Sequence, residues 1–438
     1  VTVYRAELAW VTGLAGGELV GPIDIHCTEG VITSIEPAMA PAAVRLPGLV
    51  LPGFADAHSH VFHRALRGRT HAASGGAGNF WTWRDAMYEF ADRLNPDTMY
   101  ELAVAAYTEM VCAGITAVGE FHYLHHGAGG VPYSDPNAMG LAVTAAGARA
   151  GLAVTLLDVA YLAGGFSQPV GEIQRRFSDG SVGAWADRVA ALPADLRTGV
   201  AIHSVRAVGE DALPAVVSTA SGRVLHVHLS EQPAENEACQ QFHGVSPTQL
   251  LARNGAITSR TAAVHATHLS PADIALLGDA HASIVMCPAT EADLADGIGP
   301  ARLLADAGAV ISLGSDQHVI TDPFAQARGL EYGERLATGI RGRFSPSELL
   351  HAATVSSHDA IDSPAGRLRV GASADLVAVR LDSARTAGSD PAQVLMSASA
   401  ADVAVVVIGG RVVARDGIHV DLGDPGPLLG KAISRISP

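Results

Sequence analysis

The sequence predicts an α/β chain: a (β/α)8 TIM barrel with a small β-sandwich domain built from both termini. Two observations carry this. From Leu49 onward, short apolar runs alternate with Ala-rich helical stretches, the signature of βα units and a parallel sheet. After about Asp359 the β character of the N-terminal part returns. Residues 1–48 and 360–438 are therefore expected to form the sandwich, and residues 49–359 the barrel.

Up to about Leu46 the chain reads as short strands, such as residues 31–35, separated by Gly-rich turns and without a long helical period. Eight barrel runs follow, at residues 49–58, 115–121, 152–159, 198–203, 224–228, 262–265, 283–287 and 310–314. Residues 375–379 and 403–407 then resume short β runs, with Gly-Gly and Asp-Gly turns between them. A doubly wound open sheet is the structural alternative, because strands counted by pattern can be miscounted.

Composition narrows the function classes. Hydrophobic residues are 48% of the 438, with 47 Gly and 23 Pro, the balance of a compact enzyme rich in turns. A net charge of -15 argues against nucleic acid, whose phosphates need a surplus of Lys and Arg. No apolar run approaches the roughly 20 residues that span a bilayer, and the opening residues do not read as a signal peptide. No membrane partner and a cytoplasmic location are expected, with a homodimer allowed. Cys27, Cys112, Cys239 and Cys287 are scattered without CxxC spacing, so they are expected to be reduced core residues. The only lysine is Lys431, which disfavours Schiff-base and P-loop chemistry.

His58 and His60 lie two apart at the end of the first barrel run, where period-two alternation puts both on one face. A His-x-His pair alone is a weak signal, since two core or surface histidines read the same way. Its weight comes from His203, His228, Glu231, His265 and Asp316 at the ends of other runs, because those ends converge on one rim of a barrel. Imidazoles plus a carboxylate suit one divalent metal, zinc first among them, with a position left for water. The expected ligands are His58, His60, His228 and Asp316. His226, two residues before His228, should lie deeper and serve as a hydrogen-bonded core histidine. An ideal strand would point His228 and Glu231 to opposite faces, so the chain must turn between them.

These motifs resemble the amidohydrolase superfamily: Pro52-Gly53-Phe54 before the His-x-His pair, a strand-end histidine with Glu three later, His265, and Gly314-Ser315-Asp316. Within it the sequence is similar to the formimidoylglutamate deiminase family over about residues 46–336. The matching segments include 80–85, 120–126, 174–177, 203–208, 264–269 and 287–294. The resemblance implies an amidohydrolase-type barrel and hydrolysis of N-formimino-L-glutamate to N-formyl-L-glutamate and ammonia. It assigns the metal to the same four residues, proton transfer to Glu231, His265 and Asp316, and substrate contacts to His63, Arg84, Tyr123, His203 and Arg206. His63 stands where that family has glutamine, which implies retuned affinity. Many two-metal members of the superfamily use a modified lysine; with no barrel lysine, a single metal is expected. Arg84 and Arg206 would face the two carboxylates of a small-molecule substrate, although a lone arginine is by default a structural or surface ion pair. Trp81 and Trp83 read equally as core packing. The alternatives are another mononuclear deaminase, acting on a purine, pyrimidine or triazine, and a metal-binding scaffold without turnover.

Overall fold

Eight short, mostly β-branched and Ala-rich segments pair in parallel, each with its neighbour in the chain. We label them β1 (Phe54–Ser59), β2 (Ile115–His122), β3 (Ala153–Ala160), β4 (Thr198–Ile202), β5 (Leu225–Leu229), β6 (Thr261–His265), β7 (Ser283–Met286) and β8 (Val310–Leu313). The computed structural model describes residues 1–13, 16–70 and 80–437, with the backbone alone at Gly16, Phe80 and Trp81. The packing expected of the Trp81 side chain lies outside the described residues.

The two edges of the sheet meet just beyond β1 and β8. The Asp316 amide donates to the His58 carbonyl at 2.9 Å, and the His60 amide donates to the Asp316 carbonyl at 3.0 Å. This bridge between Ser59 and Asp316 curls the sheet into a barrel and excludes the open doubly wound alternative. Small side chains fill the interior: Ala55, Ala57, Ala117, Ala262, Val264, Val285 and Cys287, with Ile361 among them. Ile361 closes the bottom, its carbonyl accepting from Thr155 Oγ1 at 2.7 Å. His226 is fully buried and bonds through Nε2 to the Ala360 carbonyl at 2.9 Å, the structural role its depth implied. Outward-facing strand residues such as Val118, Leu157 and Ile202 pack against the helices, so both strand faces are buried and the runs read as continuously apolar.

Several surrounding helices start on one local pattern. Asn95, Ser246, Ser270 and Ser345 each precede a proline at the first helical position and cap an amide three residues on, supplying acceptors to otherwise orphaned amides.

The first barrel run is two strands, not one. Val44–Pro52 belongs to a nine-stranded mixed sheet made from both chain ends, pairing parallel with Thr2–Gly13 and antiparallel with Leu376–Val379. Phe54–Ser59 starts the barrel. Gly53 sits between them under Thr116, whose Oγ1 a Cβ would meet at 2.3 Å. The run looks unbroken because alternate residues serve two cores. Val50, Leu376 and Ala378 join Tyr4, Ile25 and Val405 in the core of the terminal sheet, whereas Leu49, Leu51, Val377 and Val379 join the barrel's. All four cysteines are unpaired and buried. Among the described residues, no helix is long and apolar enough to cross a membrane.

Candidate metal centre and active site

The C-terminal ends of the strands converge as the barrel requires. Three imidazole nitrogens meet above β1 and β5: His58 Nε2 lies 3.2 Å from His60 Nε2 and 3.1 Å from His228 Nε2, and the latter two are 3.3 Å apart. Asp316 Oδ1 lies 3.4 Å from His58 Nε2 and 3.2 Å from His60 Nε2. Four donors around a zinc-sized ion at ~2.0–2.1 Å form a tetrahedron with edges of about 3.3–3.4 Å. Five of the six donor-donor distances in the cage have about that length, the His228–Asp316 pair lies within 4.8 Å, and all four residues are buried, so the donors suit one such ion.

The surroundings hold the imidazoles in the tautomer a metal needs. His60 Nδ1 donates to the Phe121 carbonyl at 2.9 Å and His228 Nδ1 to the His203 carbonyl at 3.0 Å, leaving each Nε2 lone pair facing the cage. Burial pushes the His58 imidazole down to about 3, more than the Asp316 carboxylate beside it restores. Ser59, between the two histidines, points the other way. Its hydroxyl donates to Glu120 Oε2 at 2.7 Å and lies 2.8 Å from His318 Nε2. Glu120 also accepts from the Val61 amide at 2.7 Å and the Tyr107 hydroxyl at 3.1 Å, fixing the turn that carries His60.

Backbone strain aims the remaining polar groups. Ser230 takes φ +50° directly after β5, which swings Glu231 back onto the side of His228. His265 and Asp316 also have positive φ, +69° and +49°. His265 Nε2 thereby lies 3.7 Å from Glu231 Oε1 and 3.9 Å from Asp316 Oδ2. Burial alone would lower the His265 pKa, but Glu231, Glu291 and Asp316 outweigh it and push the imidazole up to about 10. Burial raises the Glu231 carboxyl, with His265 opposing.

A chamber of about 70 Å³ opens beside the cage, lined by His60, His228, Glu231, His265 and Asp316 on one side. His63, Arg84, Tyr123, His203 and Arg206 also line it, so every site residue named from sequence either builds the cage or faces this chamber. His63 Nε2 is 2.8 Å from the Tyr123 hydroxyl. The Arg84 guanidinium carbon lies 5.6 Å from the Tyr88 ring centroid. His203 packs edge-on to Tyr161, with centroids 4.6 Å apart. Beyond Arg84, Tyr88, Gly164 and Arg206 the chamber joins an outer groove of about 840 Å³.

Two carboxylates escaped the sequence reading. Glu291, 5% exposed, accepts from the Cys287 amide at 2.8 Å and sits 3.4 Å from His265 Nδ1, so it orients that ring. Its signal was available: an acidic residue one helical turn past the end of β7, inside a segment already singled out. Glu235 pairs with Arg206, Oε1 to Nε at 3.4 Å, and its spacing of four from Glu231 carried no hint of that partner.

Fold and site together define a hydrolase of one class. The chain belongs to the amidohydrolase family, whose model matches residues 49–413. It is 37% identical to formimidoylglutamate deiminase of Pseudomonas aeruginosa over 410 residues, 89% of this chain and 90% of that one. It is 29% identical to 8-oxoguanine deaminase of the same species, over 83% of this chain and 81% of that one. A crystal structure of an amidohydrolase from Brucella melitensis superposes with a TM-score of 0.89 at 30% identity, covering 100% of both chains.

Proposed function

We propose that this protein hydrolyses N-formimino-L-glutamate to N-formyl-L-glutamate and ammonia, using one divalent metal, zinc, held by His58, His60, His228 and Asp316. The observation that carries the reading is that one chamber brings together a four-donor cage, a Glu231–His265 pair and two arginines. The deiminase relative supports the same substrate.

When bound, the metal lowers the pKa of water at the cage and supplies hydroxide near neutrality. Asp316 Oδ2 faces the chamber and His265, so it takes the proton released as the water is used. Attack at the formimino carbon gives a tetrahedral centre whose nitrogen must be protonated before it leaves as ammonia. Glu231, whose burial favours the protonated form, delivers that proton. His265 steadies the developing charge and passes protons between Glu231 and Asp316. Arg84 and Arg206 hold the two carboxylates of the glutamate moiety, and His63, Tyr123 and His203 shape the space between.

A neutral aminopurine, the other kind of substrate suggested by the 8-oxoguanine deaminase relative, gives paired arginines nothing to neutralise. The test is ammonia release from N-formimino-L-glutamate, N-formiminoglycine and an aminopurine, with wild type and Arg206→Met. The two-carboxylate compound is expected to be best, the one-carboxylate compound much poorer and the purine inert. Losing the arginine should lower kcat/KM for the first more than tenfold, from about 2–5 kcal/mol of buried pairing. Equal turnover of the purine, or an unchanged preference in Arg206→Met, would refute the assignment.

A further inference from the structure

Arg206 lies on the loop after β4 and lines both the chamber and the outer groove, with its side chain 25% exposed. Its guanidinium would drift among solvent-facing positions unless something fixed it. Glu235 is placed to do that. It sits in the first turn of the helix Pro233–His243, its side chain is 2% exposed, and its Oε1 accepts from Arg206 Nε at 3.4 Å. A helix N-terminus stabilises a carboxylate there; burial raises the Glu235 pKa, with Arg206 and then the Ser230 backbone opposing. Among the described residues, that Nε contact is the one protein hydrogen bond of the Arg206 guanidinium.

We propose that Glu235 is a positioning residue for carboxylate recognition: it grips Arg206 by the Nε edge and leaves the two terminal nitrogens directed at a ligand carboxylate. A guanidinium has two hydrogen-bonding edges, and a carboxylate can take the terminal pair side by side. With the Nε edge anchored, the arginine loses little freedom on binding, which strengthens the complex without any contact between Glu235 and ligand. The same geometry couples recognition to chemistry, because the helix bearing Glu235 follows directly from the Ser230 turn that aims Glu231. This inference rests on the reading of Arg206 as a carboxylate contact.

Three variants separate orientation from charge balance. Glu235→Gln keeps the reach and the acceptor oxygen but loses the charge. Glu235→Asp keeps the charge but withdraws the oxygen by one methylene, and Glu235→Ala removes both. The measurements are the calorimetric Kd for N-formyl-L-glutamate, KM and kcat for N-formimino-L-glutamate, and bound metal, all on the metal-loaded enzyme. Orientation predicts that Kd and KM rise at least about tenfold in Glu235→Asp and Glu235→Ala, stay within about threefold of wild type in Glu235→Gln, and that kcat and metal content hold. Weak binding by Glu235→Gln with normal binding by Glu235→Asp would overturn orientation in favour of charge balance. Altered thermal stability with Kd unmoved in all three would also overturn it, leaving a structural role. A wild-type enzyme that binds neither compound would overturn this inference and the proposed substrate together, whereas wild-type binding with indifferent variants would sink the inference alone.

Discussion

Glu231 and His228 stand three residues apart and should fail in different ways. Glu231→Gln preserves shape but cannot exchange a proton, so it is expected to keep its metal and lose roughly a hundred- to ten-thousandfold in turnover. His228→Ala removes one of the four converging donors and should lose metal as well. Metal analysis beside a rate assay distinguishes them, and a near-wild-type rate for Glu231→Gln would take it out of the mechanism. His63 poses a subtler question. Its ring nitrogen sits on the Tyr123 hydroxyl, a contact that a glutamine amide can also make. His63→Gln is therefore expected to shift KM while leaving kcat near wild type; a collapse of kcat would show that the imidazole takes part in the chemistry.

Strand ends and the turns after them set the cage dimensions, and Gly314, just past β8, is a close approach to the cage. A Cβ there would meet the His58 carbonyl oxygen and Cβ, both at 2.9 Å, and Cys287 Sγ at 3.1 Å. Gly314→Ala should push His58 away from Asp316 and weaken metal retention against a chelator while the barrel still folds. Unchanged retention would mean that the bridge between β1 and β8 yields more than its geometry implies. Further out, Arg188 fastens the helix Val182–Ala190 to β3. It holds Asp158 through Nη1 at 2.7 Å and Nη2 at 2.9 Å, and Asp179 through Nε at 2.9 Å. Arg188→Met would leave Asp158 buried without its cation and Asp179 with His126 alone, at about 3–5 kcal/mol, read as a lowered denaturant midpoint. The signal for this cluster was weak in the sequence: Asp158 sits in a continuous apolar run, and nothing in spacing ties it to an arginine thirty residues on.

Most of the barrel could be read from the chain because buried parallel strands leave long apolar runs, and the four cage residues because strand ends meet on one rim. The junction at Gly53 could not, since the run crosses it with one pattern serving two sheets. Glu235 was missed for another reason: it acts through a partner from a different βα unit, and one sequence records no pairing between units. Charge across the molecule also sets its acid tolerance. Burial would raise Asp158 and Asp179, but Arg188, with His126 on Asp179, holds both below the ordinary carboxylate range. Carboxylates depressed in the fold stabilise it above their unfolded pKa of about 3.9 and lose that contribution as pH falls toward the folded values. Unfolding is thus expected to set in with acid, and Arg188→Met should shift its onset to higher pH. The account as a whole stands on one metal in one cage driving deimination of a dicarboxylate. The decisive measurement is a zinc titration of the metal-free protein, following ammonia release from N-formimino-L-glutamate. Activity should rise linearly to one zinc per chain and then level off. No turnover at any loading, or a rise that continues to two metals per chain, would contradict it.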